Sequence, residues 1–156
     1  YSGMTSNTKK IALIMKESLE KDNIITEVMD INKVSKEEAL KAIEGTNMLL
    51  VGTSTKYGDA IGSLEDTIKE LKDINLQGKI AGVFGSYGWS GEGIEVAQDY
   101  LNETNMNVLS TSNIIKSTGM TDIEFPIRVR FSPKNEDIKK IEKASKFVAD
   151  LLLNSI

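Results

Sequence analysis

Three polar segments carry residue types that could bind a ligand, and the first of them covers residues 2–8 (SGMTSNT). It runs directly into an amphipathic helix, whose first N–H groups lack helical partners and attract anions. Serine, threonine and asparagine are also ordinary helix caps, so a cap is an equally good interpretation of the segment alone. Three hydroxyls and one amide within residues 5–8 exceed what a cap uses, which favours a phosphate site.

The second segment, residues 52–59 (GTSTKYGD), follows the apolar run at residues 48–51. Its glycines let a flat ligand approach the backbone, its hydroxyls supply hydrogen bonds, and Tyr57 adds an aromatic ring. A surface connection rich in turn-forming residues is the better interpretation when this segment is taken alone. The second segment therefore indicates a ligand site only if the fold places it beside the other two segments.

The third segment, residues 84–93 (FGSYGWSGEG), contains four glycines together with Tyr87 and Trp89, the only tryptophan of the chain. Directly after an apolar strand, this composition predicts a ledge of exposed backbone with rings that stack on a planar group. The alternative is that Trp89 fills a core and the glycines only form turns. Of the three segments, the third is the most specific indication of a binding site for a planar ligand.

These segments must be positioned by secondary structure, which the apolar spacing predicts. The predicted helices cover residues 8–21, 36–43, 64–71, 94–101 and 138–152. The predicted strands cover residues 24–31, 48–51, 80–84, 108–109 and 127–131, the last alternating apolar and basic side chains like an edge strand with one wet face.

Strands that alternate with helices predict a parallel sheet with right-handed crossovers and helices on both faces. Ligands bind such sheets at the carboxyl ends of the strands. The three segments are therefore expected to meet at one edge, where a phosphate site beside two flat, aromatic-lined loops suits a mononucleotide with a planar head group.

The composition narrows the function further. The 156 residues, 40% of them hydrophobic, suit a single domain spanning residues 1–156. A net charge of −4 offers no basic surface for nucleic acid. The chain contains neither histidine nor cysteine, so it lacks the usual general base and thiolate metal ligands, and demanding chemistry requires a cofactor. No apolar stretch approaches the roughly 20 residues of a membrane span, and no signal segment opens the chain, so we expect a cytoplasmic protein.

Residues 1–8 resemble the phosphate loop of flavodoxins, and residues 84–91 resemble the flavin loop of flavodiiron proteins, also called A-type flavoproteins. This resemblance covers nearly the whole chain and implies the flavodoxin-like three-layer α/β sandwich, with a five-stranded parallel sheet of order 2-1-3-4-5 that binds FMN. It implies phosphate contacts from Gly3, Met4, Thr5, Ser6, Asn7 and Thr8. It implies flavin contacts from Thr53, Ser54, Thr55, Lys56, Tyr57, Gly58, Ser86, Tyr87, Gly88, Trp89 and Gly91.

The chain departs from the family pattern at two places. The first, central strand of the family should lie just before Tyr1, so we expect an upstream apolar strand in the native protein. The stretch from Ser110 to Glu124 interrupts what should be a single last strand, as the loop of long-chain flavodoxins does. That insertion is either a partner-facing surface or an inert excursion.

The resemblance implies a redox module without catalytic side chains or metal ligands of its own. In flavodiiron proteins the flavodoxin domain takes electrons from rubredoxin or a reductase. It passes them to a diiron centre in a lactamase-like domain, which reduces dioxygen or nitric oxide. Three alternatives are a free-standing flavodoxin, an NAD(P)H-dependent FMN or quinone reductase, and a domain that has lost FMN and serves only for interaction. The acidic composition predicts a low second reduction potential for bound FMN.

Overall fold

The computed structural model describes residues 1, 6–54, 63–88 and 91–154. The six α-helices of this part are α1 (Ser6–Lys21), α2 (Lys36–Glu44), α3 (Ser63–Ile68), α4 (Glu92–Asn102), α5 (Thr111–Thr118) and α6 (Asn135–Asn154). The four strands are β1 (Met48–Ser54), β2 (Ile80–Tyr87), β3 (Asn107–Val108) and β4 (Ile127–Arg130). A 3₁₀ turn at Lys69–Asp73 continues α3. No helix in these ranges is both long and apolar enough to cross a membrane.

The described strands form one parallel sheet centred on β2. β1 pairs along the whole of its length with β2, from Met48 opposite Ile80 to Ser54 opposite Ser86. On its other side β2 pairs first with β3, in which Asn107 lies opposite Ile80, and then with β4. Two separate pieces thus occupy one strand position, which confirms that an insertion splits the last strand.

The insertion packs against the body of the protein through its apolar residues. The hydroxyl of Ser110 caps α5 by accepting a hydrogen bond from the backbone N–H of Asn113. α5 buries Ile114, and the return segment buries Ile123 and Phe125 in the same core. The Thr111 hydroxyl closes the excursion by donating to the carbonyl of Phe125 at 3.1 Å.

Helices cover both faces of the sheet, as the alternation of elements predicts. On one face α1 and α6 pack together, α1 against β1 and β2 and α6 against β4, and Ile11, Ile141 and Val129 are completely buried there. On the other face α3 and α4 cover β1 and β2, burying side chains such as Ile68 and Ile94. The α/β sandwich is confirmed, and its layers hold the carboxyl ends of β1 and β2 at a common edge.

The expectation of a strand at residues 24–31 is corrected, since the structure assigns no strand there. The segment still has a half-buried side, and its Ile24 and Val28 side chains pack against the core. The backbone N–H of Ile31 donates to the carbonyl of Tyr1 at 3.0 Å, and the amino group of Tyr1 donates to the carbonyl of Met29 at 2.8 Å. A strand requires a ladder of such pairs, and among the described residues only Tyr1 provides them.

Tyr1 lies between this segment and β1. Its Cβ is 2.9 Å from the point that a Cβ on Gly52 of β1 would occupy. Tyr1 therefore stands where the order 2-1-3-4-5 places the first strand. The described sheet has four strands, and the complete five-strand order stays a prediction.

Candidate functional site

The described residues of the three polar segments lie at the same edge of the sheet. β1 ends at Ser54 and β2 at Tyr87, and within the ladder Thr53 lies opposite Gly85. The structure brings together several predicted site residues here: Ser6, Asn7 and Thr8 in the first turn of α1, Thr53 and Ser54 in β1, Ser86 and Tyr87 in β2, and Gly88 and Gly91 after it. The other predicted site residues lie outside the described part of the chain: Gly3, Met4, Thr5, Thr55, Lys56, Tyr57, Gly58 and Trp89.

A hydrogen bond ties the start of α1 to the end of β1. The side chain of Thr8 is fully buried, and its hydroxyl donates to the carbonyl oxygen of Thr53 at 3.4 Å. The single hydroxyl hydrogen of Thr8 is thus directed into the protein. Within an α-helix the N–H groups of the first turn have no acceptor in the helix itself, which makes such an N-terminus a suitable place for an anion.

Gly85 allows β2 to pack closely against β1 and α4 at this edge. A Cβ on Gly85 would lie 2.7 Å from Cγ1 of Ile94 in α4 and nearer still to the carbonyl oxygen of Thr53. Only glycine lets β2 approach both neighbours so closely. This close packing lies beside two buried hydroxyl residues, Thr53 and Ser86, which are 0% and 4% exposed.

The side chains of β4 and of the residue after it back the third segment. A Cβ on Gly88 would lie 3.1 Å from the ring of Phe131, and a Cβ on Gly91 would lie 2.8 Å from Nη1 of Arg128. The backbone N–H of Phe131 donates to the carbonyl of Tyr87 at 2.8 Å. The guanidinium of Arg130 lies over the Phe131 ring, 5.4 Å from its centre. These residues fill the space behind the glycine-lined ledge.

This contribution of β4 was not predicted from the sequence. The alternation at residues 127–131 predicted only an edge strand with one wet face, which agrees with the burial of Ile127 and Val129. A signal was nevertheless present, because Arg128 and Arg130 are the only arginines of the chain. Their concentration on one strand points to a local role for the guanidinium group.

The start of α3, which follows the second segment, is anchored to α4. The hydroxyl of Tyr100 donates to the carboxylate of Glu65 in the first turn of α3. This hydrogen bond raises the pKa of the Tyr100 hydroxyl above its ordinary value, because an ionised phenol has no hydrogen to donate. The pair ties the first turn of α3 to α4.

The arrangement suits a flat, phosphorylated cofactor. A glycine-rich backbone, in which a Cβ would collide with the neighbouring side chains, lies beside the N-terminus of α1 and at the ends of two strands. This combination admits a planar ring and offers N–H groups to a phosphate.

Comparison with known proteins supports this interpretation. Residues 1–144 match the family model of flavodoxins. Rubredoxin-oxygen oxidoreductase of Megalodesulfovibrio gigas is 23% identical over 152 residues, a match that covers 97% of this chain and 34% of that protein. This chain therefore spans about a third of the length of that relative.

Two solved structures have a similar fold. Rubredoxin oxygen:oxidoreductase from Desulfovibrio gigas superposes with a TM-score of 0.84 at 22% identity, covering 99% of this chain and 35% of that one. A flavodoxin from an archaeon superposes with a TM-score of 0.73 at 25% identity, covering 97% of this chain and 95% of that one. The same fold thus matches both part of a larger oxidoreductase and nearly the whole of a small protein.

Proposed function

This chain belongs to the flavodoxin family, whose cofactor is FMN, and we propose that it supplies electrons to a flavodiiron-type oxygen or nitric oxide reductase. Sequence and fold both match the FMN domain of flavodiiron proteins. The chain spans about a third of the length of rubredoxin-oxygen oxidoreductase. The activity, the substrate and the partners of a whole reductase are therefore proposed for this chain.

The glycine-lined edge between β1, β2 and β4 is the observation that carries the proposal. The first turn of α1, with Ser6, Asn7 and Thr8, is the proposed phosphate site, together with Gly3, Met4 and Thr5. The proposed ring contacts come from three places: Thr53 and Ser54 with residues 55–58, Ser86 to Gly88 with Trp89, and Gly91. The packing of this edge requires glycine at Gly85, Gly88 and Gly91, where a Cβ would meet Ile94, the Phe131 ring and Arg128 respectively.

FMN supplies one-electron and two-electron redox chemistry when it is bound. The residues of this chain bind the cofactor, orient it and exclude water from one side of it. No side chain is needed as an acid or base, and the chain offers no histidine or cysteine for such a role.

The proposed partners follow from the same relationship. One relative is by name a rubredoxin-oxygen oxidoreductase. We propose that rubredoxin or a reductase donates electrons to this chain, in the cytoplasm. The acceptor is a diiron centre on a lactamase-like domain, either fused to this chain or separate from it.

A free-standing flavodoxin is the second candidate. The archaeal flavodoxin favours it, because this chain covers 95% of that small protein. An adjoining gene or fused domain with clustered histidines and carboxylates would distinguish the reductase module from the free carrier. An NAD(P)H-dependent reductase is tested separately, since only that enzyme bleaches its bound flavin with NADH or NADPH alone.

The decisive experiment is reconstitution of the purified chain with FMN. We expect flavin absorbance to stay with the protein after gel filtration, and the fluorescence of Trp89, the only tryptophan, to be quenched in proportion to bound FMN. Riboflavin, which lacks the phosphate, is the matched control and should bind more weakly. A colourless chain that takes up no FMN overturns the proposal.

A further inference from the structure

Both arginines of the chain lie on one face of β4, beside the third segment. Ile127 and Val129 are fully buried against α1 and α6, so Arg128 and Arg130 project to the opposite face of the sheet, where α4 lies. In the ladder Arg128 lies opposite Gly85, and Arg130 lies opposite Tyr87. Arginine keeps its positive charge at every accessible pH, so this edge carries a permanent cation.

Arg128 is the arginine that touches the ledge itself. Its Nη1 stands 2.8 Å from the Cβ position of Gly91, the residue that caps α4. A cation beside the N-terminus of a helix faces the positive end of the helix dipole, so stabilisation of α4 does not explain its placement. The nearby carboxylate of Glu95 is 3.8 Å from Nη2 and its side chain is 67% exposed, so solvent weakens this ion pair.

We propose that Arg128 raises the second reduction potential of bound FMN by stabilising the negative charge of the two-electron-reduced cofactor. This inference rests on the proposed function. The electron comes from the external donor, and Arg128 exchanges neither a proton nor a bond with the flavin. The guanidinium, which stands beside the backbone at Gly91, would act only through its charge.

The local cation opposes the effect expected from the net charge of −4. Exposed charges farther away than about 10 Å are largely screened at physiological ionic strength. A partly buried charge against the flavin loop is screened less, since protein replaces part of its water. The Arg128 side chain is 32% exposed, so its charge is partly buried and only partly screened.

The test is a redox titration of the full chain loaded with FMN, with the two one-electron steps resolved by absorbance. Arg128→Gln removes the charge and keeps a polar side chain. Arg128→Lys keeps the charge, and Glu95→Gln removes the partner carboxylate. Lys21→Gln is the control for charge loss, because Lys21 is exposed at the far end of α1.

We expect Arg128→Gln to shift the equilibrium of the second step about tenfold against reduction, as a unit charge at a separation on the order of 10 Å does at an effective dielectric constant of about 20. Tenfold corresponds to about 59 mV for a one-electron couple. Arg128→Lys should retain most of the wild-type potential, Glu95→Gln should raise it, and Lys21→Gln should leave it unchanged.

Two results would overturn the inference. One is a shift in Arg128→Gln no larger than that of Lys21→Gln, and the other is an equal shift in Arg128→Lys, which would assign the effect to packing. Thermal unfolding of each variant checks that it is folded. A wild-type chain that binds no FMN overturns the proposed function as well, whereas an unchanged potential in a chain that binds FMN overturns this inference alone.

Discussion

Gly85→Ala is expected to damage the site from inside the sheet, because the added methyl group has nowhere to go. Its Cβ would lie 2.7 Å from Cγ1 of Ile94 and closer still to the backbone carbonyl of Thr53. Ile94 is fully buried, and the carbonyl belongs to the strand that pairs with Gly85. Neither neighbour can move aside alone, so β1, β2 and α4 must separate at the ligand edge.

The expected cost follows from the size of that clash. An ordinary contact requires about 3.4 Å or more, so the layers must separate by on the order of 1 Å. Overpacking of a dense core costs about 1–3 kcal/mol, and a clash with backbone belongs at the upper end of that range. For a domain of this size, 3 kcal/mol lowers the melting temperature by roughly 6–12 °C. FMN affinity should fall as well, because the ledge is displaced.

Thermal unfolding of the chain with and without FMN measures both effects. Gly45→Ala is the matched control, because a Cβ there meets only carbonyl oxygens at 3.7 Å and the backbone φ of −85° suits alanine. This control should keep its stability or gain up to about 1 kcal/mol. If Gly85→Ala melted within about 2 °C of wild type and bound FMN equally well, the close approach of β1 and β2 inferred here would be refuted.

Three further outcomes are expected. Ile141→Ala, at a fully buried position of α6, should lower the free energy of unfolding by about 2–5 kcal/mol in urea titration, whereas Ile25→Ala, at a fully exposed position, should change it by less than about 0.5 kcal/mol; equal effects would contradict the assigned core. The raised pKa of Tyr100 means that the folded state holds this proton more tightly, so its contribution is complete below pH 10.0 and is lost as the pH rises through the folded-state pKa. Wild type should therefore lose stability more steeply above pH 10.0 than Tyr100→Phe, and parallel pH profiles would exclude a contribution from the bond to Glu65. Gly88→Ala should lose little stability, because its Cβ would meet only the exposed ring of Phe131, at 3.1 Å. The same contact should displace the third segment and weaken FMN binding. Binding as tight as that of Gly45→Ala would remove Gly88 from the site.

Local sequence pattern predicted most of the helices and strands. The apolar spacing of α1 and α6 and the uninterrupted apolar run that opens β1 are signals confined to a few neighbouring residues. Residues 24–31 show the limit of such signals. Their side chains alternate correctly, but a strand also needs a paired neighbour, and pairing is a property of distant parts of the chain.

The candidate site also has a part that the sequence predicts and a part that only the fold shows. The glycine-rich segments were recognisable because glycine, hydroxyl and aromatic residues stand close together in the sequence. The contacts of Phe131 with Gly88 and of Arg128 with Gly91 could not be recognised in the sequence. About forty residues separate the partners, and only the pairing of β4 with β2 brings them together. The use of the Thr8 hydroxyl inside the protein likewise depends on a contact with β1.

By itself, the sequence determined the alternation of elements, the composition of the three segments and the lack of histidine and cysteine, because each is a local or additive property of the chain. Only the tertiary structure decided which side chains stand behind the glycines, how the split strand completes the sheet, and where the permanent charge of Arg128 lies. Those depend on strand register, in which a shift of one residue would turn Arg128 toward the opposite face.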